Sequence, residues 1–271
     1  MSDSEKQTLR VNGCNLECQW FGERDSGRPV LVLLHEGLGC IAMWRDFPAR
    51  LAELTGCTVF VYSRQGYGGS DPFDQDLAVD FMHREGRIVL PAVLDAAGID
   101  QAILMGHSDG ASIAIIHTGE QFDDRIMGLV LLAPHLFVEP ETLHGIRLAK
   151  AAYEQEGLAD RLKRYHLEHT DDTFKRWSGI WLDPRFESWN IEASVPGINV
   201  PVLAIMGEDD QYGTLAQINV LADLLPTKIE KAVFEACGHS PHLENPDATL
   251  ASIKLFIKQL LRQAISCRTE H

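Results

Sequence analysis

The stretch QAILMGHSDGASIAIIH, which runs from Gln101 to His117, decides how this chain is interpreted. An apolar run stops at Gly106, and a second apolar stretch with a different spacing begins after Gly110. The first run is typical of a buried strand and the second of a helix. Between them, Ser108 lies at a turn flanked by the two glycines. The segment therefore predicts a strand, a sharp turn that exposes one hydroxyl group, and a helix.

Strands and helices alternate from about residue 30 to the end of the sequence. Apolar runs predict buried strands that begin near residues 30, 57, 101, 126 and 201, and a last strand begins near residue 229. Helical spacing predicts helices over residues 42–55, 77–98 and 245–263. Before them, TLRVNGCNLECQWFG predicts a β-hairpin that turns at Asn12 and Gly13. The pattern predicts an α/β fold: a mostly parallel, twisted sheet of about eight strands with helices on both faces.

One segment, residues 136–195, breaks the alternation because it has helical spacing and no strand pattern. About 60 residues are too many for a connecting loop. We predict an inserted helical cap at 136–195, with the core domain built from residues 1–135 and 196–271. The cap is rich in aromatic residues, which suits a lid over a pocket as well as ordinary packing onto the core.

Composition narrows the classes of function. The chain has 271 residues and a formal net charge of −15, so nucleic acid and anionic membranes are poor partners. The six cysteines show no metal-binding spacing and are interpreted as free thiols of a reducing compartment. The N-terminus lacks the apolar centre of a signal peptide, and no apolar run has the length of a membrane span. We expect a cytoplasmic protein.

The motif G-H-S-D-G at residues 106–110 is a G-x-S-x-G pattern between a predicted strand and a predicted helix. This context is typical of a strained turn that presents a nucleophilic serine. A serine needs a base, and His239 follows Gly238 in a loop after the last predicted strand, with His242 as a competitor. The base needs an orienting carboxylate, and three acids follow a core strand: Glu208, Asp209 and Asp210.

The order of Ser108, an acid after a strand, and His239 resembles the α/β-hydrolase superfamily. The matching elements extend from about Val30 to the C-terminus. In that family the acid usually lies three residues after a glycine that ends the strand. The resemblance therefore implies that the acid is Asp210, three residues after Gly207, with Asp209 as the alternative.

The segment LLHEGLGC, residues 33–40, resembles the oxyanion loop of the family, which usually reads His-Gly-x. This chain has Glu36 where a glycine is common. The resemblance implies that Gly37 donates one backbone N–H and Asp109 the other; if Glu36 acts as an insertion, the first donor is Leu38. We expect the Glu36 carboxylate to point away from the site or to pair with a cation.

The segment SRQGYGGSD, residues 63–71, resembles another loop of the family and is interpreted as structural. As an alternative, Arg64 reaches the pocket and binds an anionic substrate group. For contacts with the substrate we expect five residues: Leu38, His135, Trp177, Trp181 and Tyr212.

These residues predict a serine hydrolase that cleaves a small carboxylic ester or lactone through an acyl-enzyme, with no metal and no organic cofactor. The alternative is a C–C bond hydrolase of meta-cleavage products, whose members more often have Asn where His107 stands. A haloperoxidase side activity stays open, and a non-catalytic small-molecule receptor is a further alternative. A serine nucleophile argues against the dehalogenases and epoxide hydrolases of this fold. The partner is a small-molecule substrate; the sequence leaves the oligomeric state open, a homodimer being one option.

Overall fold

A single sheet organises the chain. The computed structural model describes residues 5–24, 26–74 and 78–269, with side chains up to residue 263. Within those ranges eight strands form the sheet in the order β1-β2-β4-β3-β5-β6-β7-β8, parallel from β4 to β8 and antiparallel where β2 meets β1 and β4. The strands are β1 (Gln7–Val11), β2 (Cys14–Phe21), β3 (Val30–Leu34), β4 (Val59–Tyr62), β5 (Ala102–His107), β6 (Ile126–Leu132), β7 (Val202–Gly207) and β8 (Ile229–Phe234). The predicted mostly parallel sheet is confirmed.

The predicted hairpin is formed by β1 and β2. Asn12 and Gly13 both have positive φ angles, 49° and 87°, as a two-residue hairpin turn requires. Cys14 and Cys18, both on β2, are free thiols, as are the other described cysteines. Cys267 lies outside the described side chains.

Helices cover both faces of the sheet. They are α1 (Phe47–Thr55), α2 (Phe81–Arg84), α3 (Leu90–Ala97), α4 (Asp109–Gln121), α5 (Pro140–Gln155), α6 (Leu158–His166), α7 (Thr170–Trp181), α8 (Ala216–Leu224), α9 (Pro241–Glu244) and α10 (Pro246–Thr269). Successive residues of a strand point to opposite faces. Leu31 and Leu33 therefore pack with α1 and α10, whereas Val32 and Leu34 pack with α3 and α4. None of the helices in the described ranges is both long and apolar enough to cross a membrane.

Two predicted helices are less regular than their spacing indicated. The helix predicted over 77–98 begins at Phe81 and has a wide π turn at Glu85–Val89, and residue 77 lies outside the described residues. Pro91 follows that turn and has no N–H to donate to the preceding turn. The segment predicted as one helix over 42–55 forms two elements, a 3₁₀ turn at Ile41–Trp44 and the helix α1. Arg45, with a φ angle of 53°, interrupts the helical path between them.

Three helices, α5, α6 and α7, lie between β6 and β7, within the segment predicted as a cap. Side chains of α6 and α7 form hydrogen bonds with loops of the core. His166 at the end of α6 accepts a hydrogen bond from the backbone N–H of Gly68 at 3.2 Å, and its other ring nitrogen contacts the backbone oxygen of Leu38 at 2.8 Å. Thr173 of α7 donates to the backbone oxygen of Gly66 at 2.6 Å. The exact limits of the cap, residues 136–195, stay a prediction.

Candidate active site

Ser108 lies in a strained turn between β5 and α4. Its φ and ψ angles are 53° and −119°, which are rarely adopted by a residue with a side chain. A Cβ on Gly106 would lie 2.3 Å from the backbone oxygen of Gly110, and a Cβ on Gly110 would lie 2.1 Å from the backbone oxygen of Leu34. The turn therefore requires glycine at both flanking positions.

His239 lies in the loop after β8, where it meets Asp210 from the loop after β7. The Nδ1 atom of His239 is 2.9 Å from each carboxylate oxygen of Asp210. The Asp210 side chain is 1% exposed and also accepts the backbone N–H of Tyr212 at 2.8 Å. Burial alone would raise the pKa of Asp210, but the His239 ring outweighs it and lowers that pKa. Glu208 and Asp209, the other candidate acids, are exposed.

His242, the competing base, belongs to the core. Its ring packs against Trp44 at 4.7 Å and Phe47 at 5.6 Å, and burial holds its pKa well below the ordinary value. His239, by contrast, lines a cavity together with Ser108. Among the described residues, no hydrogen bond joins the side chains of Ser108 and His239. Hydrogen bonds between catalytic groups are often long without substrate and shorten when it binds.

The cavity has a volume of about 240 Å³. It brings together residues from the core loops and from the cap helices α5 and α7. All five residues expected to contact the substrate line it, as do both residues expected to form the oxyanion hole. The complete lining is Glu36, Gly37, Leu38, His107, Ser108, Asp109, His135, Thr142, Ile146, Trp177, Trp181, Gln211, Tyr212, His239 and Ser240.

Arg64 is buried behind the loop after β3 and does not line the cavity. Its guanidinium donates to the backbone oxygens of His35 at 2.5 Å and Glu36 at 2.9 Å. Its backbone N–H donates to Nε2 of His35, so the proton of that neutral ring is on Nδ1, which contacts the oxygen of Glu36. Two carbonyl groups that would repel an oxyanion are thus engaged by Arg64, which favours the structural interpretation of this residue.

The carboxylate of Glu36 faces His107. Its Oε2 atom lies 3.4 Å from Nδ1 of His107, and Nε2 of His107 lies 2.8 Å from the backbone oxygen of His239. Both neighbours are acceptors, so the ring serves them best as an imidazolium with two N–H groups. Burial opposes that charge, but the Glu36 carboxylate outweighs it and raises the pKa of His107. Glu36 therefore faces a ring that is a cation when it is protonated; that the two form an ion pair stays a prediction.

Gly37 lies where three elements meet. A Cβ at this position would be 2.1 Å from Nε1 of Trp177 and 2.9 Å from Oδ2 of Asp109. Only a glycine allows the loop to approach the cap and α4 this closely. Asp109 itself is 1% exposed, and burial raises the pKa of its carboxyl group to about 6.

No group of three or more His, Cys, Asp or Glu side chains within the described ranges is arranged to hold a metal ion.

A model of the alpha/beta hydrolase family matches residues 31–252. The chain belongs to this family. Family membership, together with the strand order and the turn at Ser108, supports hydrolysis as the general activity.

Two relatives and one solved structure illustrate the range of this hydrolase family. The serine hydrolase BPHL of Homo sapiens is 28% identical over 210 residues, covering 74% of this chain and 69% of its own. The 2-hydroxy-6-oxo-6-phenylhexa-2,4-dienoate hydrolase of Burkholderia cepacia is 24% identical over 256 residues, covering 83% and 86%. The enol-lactonase from Burkholderia xenovorans LB400 has the same fold, with a TM-score of 0.72 at 22% identity over 93% of this chain and 100% of its own.

Sequence reasoning missed several residues of this hydrolase's cavity. Thr142 and Ile146 come from α5, and no local motif marks them. Gln211 lies between Asp210 and Tyr212, both expected in the site, so its position in the sequence could have indicated that it lines the cavity. The contact between Glu36 and His107 joins residues 71 positions apart, and no spacing rule predicts such a pair.

Proposed function

We propose that the protein is a serine hydrolase that cleaves a small carboxylic ester or lactone through an acyl-enzyme. Ser108 is the nucleophile, His239 the general base and Asp210 the orienting acid. The observation that carries the proposal is the contact of His239 Nδ1 with both oxygens of Asp210 at 2.9 Å, at the cavity that Ser108 also lines. This contact fixes the ring tautomer and leaves Nε2 free to take a proton.

In the first half-reaction Ser108 Oγ attacks the carbonyl carbon as His239 takes its proton. Asp210 stabilises the imidazolium, since its lowered pKa keeps the carboxylate ionised at neutral pH. The imidazolium then gives the proton to the leaving alkoxide, and the acyl group stays on Ser108. In the second half-reaction water attacks the acyl carbon as His239 takes the water's proton. The imidazolium then gives that proton to Ser108 Oγ as the bond between Ser108 and the acyl group breaks, and the acid leaves.

The oxyanion is held by the backbone N–H groups of Gly37 and Asp109. Asp109 is the first residue of α4, whose N-terminal end carries partial positive charge toward the reaction centre. Arg64 supports the arrangement by binding the two carbonyl oxygens before Gly37. The substrate fills the space between Leu38, the ring of Tyr212 and the cap.

The competing candidate is a C–C bond hydrolase, favoured by the dienoate hydrolase among the relatives. The substrate in that relative's name is an anion. The lining of this cavity contains Asp109 and Glu36, whose carboxylate faces His107, and, among the described residues, no arginine or lysine. A dienoate would therefore meet no arginine or lysine that could hold its carboxylate, which favours a neutral ester or lactone.

A single preparation assayed on p-nitrophenyl acetate, a small lactone and a vinylogous diketone acid tests the proposal. Ester or lactone turnover that Ser108→Ala reduces by about 10³-fold or more supports it. Ser252→Ala is the matched control because that serine lies on α10, outside the cavity. Turnover of the diketone acid alone would favour the C–C reaction, and turnover unchanged in Ser108→Ala would remove Ser108 from the role of nucleophile.

A further inference from the structure

The loop after β3, proposed above to bind the oxyanion, is held by side chains on both sides of Gly37. The backbone oxygens of the two residues before Gly37 accept hydrogen bonds from Arg64 in the core, at 2.5 Å and 2.9 Å. The backbone oxygen of Leu38, the residue after it, lies 2.8 Å from Nε2 of His166, which ends α6 in the cap. One anchor of this loop therefore belongs to the core and the other to the cap.

The second ring nitrogen of His166 shows which atom carries the proton. Nδ1 accepts the backbone N–H of Gly68 at 3.2 Å, so it has no hydrogen of its own. The imidazole is fully buried, and burial lowers the pKa of His166 below its ordinary value, so the ring is neutral at neutral pH. The single proton is therefore on Nε2, where it is donated to the backbone oxygen of Leu38.

The ring of His166 is also fixed in orientation. The ring of Tyr67 packs against it edge-on, with centroids 5.9 Å apart and planes at 75°. The bond to Gly68 ties the ring to the loop after β4, and Thr173 of α7 ties the cap to the same loop through Gly66 at 2.6 Å. A ring held in this way directs its N–H at one point, so the cap determines where the Leu38 carbonyl lies.

The two anchors enclose both candidate oxyanion donors. A planar peptide group carries its C=O and the next N–H on opposite sides. Arg64, by binding the oxygen of Glu36, therefore orients the N–H of Gly37, and His166 orients the peptide that follows Leu38. The N–H of Leu38 lies between these two fixed peptides. Without the second anchor, the conformational freedom of Gly37 would let the loop turn.

We propose that His166 is a positioning residue of the oxyanion hole: its hydrogen bond to Leu38 holds the loop after β3 in the geometry that binds the developing oxyanion. The cap thereby contributes to catalysis and does more than enclose the cavity. This proposal rests on the ester hydrolysis proposed above. Because the oxyanion forms only in the transition state, loss of the contact should lower kcat and leave KM almost unchanged.

Two substitutions separate the roles of the two ring nitrogens. The side-chain amide of Gln extends as far as Nε2 and can donate to Leu38, whereas that of Asn extends only as far as Nδ1 and can accept from Gly68. With p-nitrophenyl acetate we expect His166→Asn to lower kcat by about 100-fold, with KM within about threefold of the wild type. His166→Gln should keep kcat within about threefold of the wild type.

Thr173→Val is the matched control. It removes the neighbouring hydrogen bond between cap and core, to Gly66, and leaves the loop after β3 untouched. It should lower Tm, as His166→Asn does, while kcat stays within about threefold of the wild type. A wild-type kcat in His166→Asn, an equal loss in His166→Gln, or an equal loss in Thr173→Val would each overturn the proposal.

A measurement on the wild type decides even if His166→Asn does not fold. In protein labelled with ¹⁵N-histidine, the His166 signals are identified by their absence from His166→Gln. We expect a protonated Nε2 and an unprotonated Nδ1 at neutral pH, and a proton on Nδ1 would overturn the proposal. Ester turnover that depends on Ser108 but not on His166 would refute the positioning role alone. Turnover that is absent, or unchanged in Ser108→Ala, would refute the proposed function itself.

Discussion

The Nε2 atom of His107 lies 2.8 Å from the backbone oxygen of His239, while Nδ1 of the same ring faces the carboxylate of Glu36 at 3.4 Å. One buried imidazole thus connects the turn that carries Ser108, the loop proposed to form the oxyanion hole and the loop that carries the proposed base. The position of His239 depends on this contact as well as on Asp210.

Replacing His107 by Gln should lower the free energy of unfolding by about 1.5–3 kcal/mol near pH 6, because it removes a charged hydrogen bond. The folded-state pKa of His107 is raised above its ordinary value of 6.5. The stabilisation is therefore fully present below that value and is lost as the pH rises through the folded pKa. Urea unfolding of wild type and His107→Gln from about pH 6 to about pH 9 measures this. A stability difference that does not shrink with rising pH would contradict the ionised pair.

Asp210→Asn should lower kcat by about 10⁴-fold, because an amide can hold the imidazole in the wrong tautomer and cannot stabilise the imidazolium. Asp209→Asn, at the exposed neighbouring position, should leave kcat within about twofold of the wild type. Steady-state kinetics with circular dichroism as a folding check compares the two variants. Equal losses in both would mean that the contact with His239 does not select the acid.

The two histidines that follow β8 are His239 in the loop and His242 on α9. Their variants should separate loss of activity from loss of stability. His239→Ala should lose about 10³-fold or more in kcat with little change in Tm. His242→Ala removes a buried ring packed against Trp44 and should lower stability by about 2–4 kcal/mol while most activity per folded molecule remains. If His242→Ala were the inactive variant and His239→Ala the active one, the assignment of the base would be wrong.

Gly37→Ala should reduce both activity and stability because the new methyl group would meet the indole of Trp177. The steric conflict should cost about 1–3 kcal/mol. Gly179→Ala is the matched control, since that glycine lies in α7 with open space around it and alanine is a better helix former. Thermal unfolding of the two variants should shift Tm in opposite directions, and a Gly37→Ala variant as stable as the control would refute the close packing of this loop.

The parts of the fold that depend on local chemistry could be predicted from the sequence. The apolar strands, the hairpin at Asn12 and Gly13, and the turn around Ser108 each follow from a few adjacent residues. The wide turn at Glu85–Val89 was not predicted, because helical spacing does not distinguish a regular helix from one interrupted before a proline.

The candidate site divides in the same way. His239 and Asp210 could be nominated because each follows a strand whose end had to reach one edge of the sheet. The partners of the buried charged groups could not be predicted, because they come from distant segments of the chain. Glu36 faces His107, and the Arg64 guanidinium donates hydrogen bonds to backbone oxygens.

Covalent labelling tests the central claim, that Ser108 is the attacking group, most directly. The purified protein is treated with a fluorophosphonate, an analogue of the tetrahedral intermediate of acyl transfer, and analysed by intact mass and peptide mapping. We predict one adduct per chain on Ser108, loss of esterase activity in step with labelling, and no adduct in Ser108→Ala. Full activity after exposure to the reagent, or an adduct on another residue that accounts for the lost activity, would contradict the account.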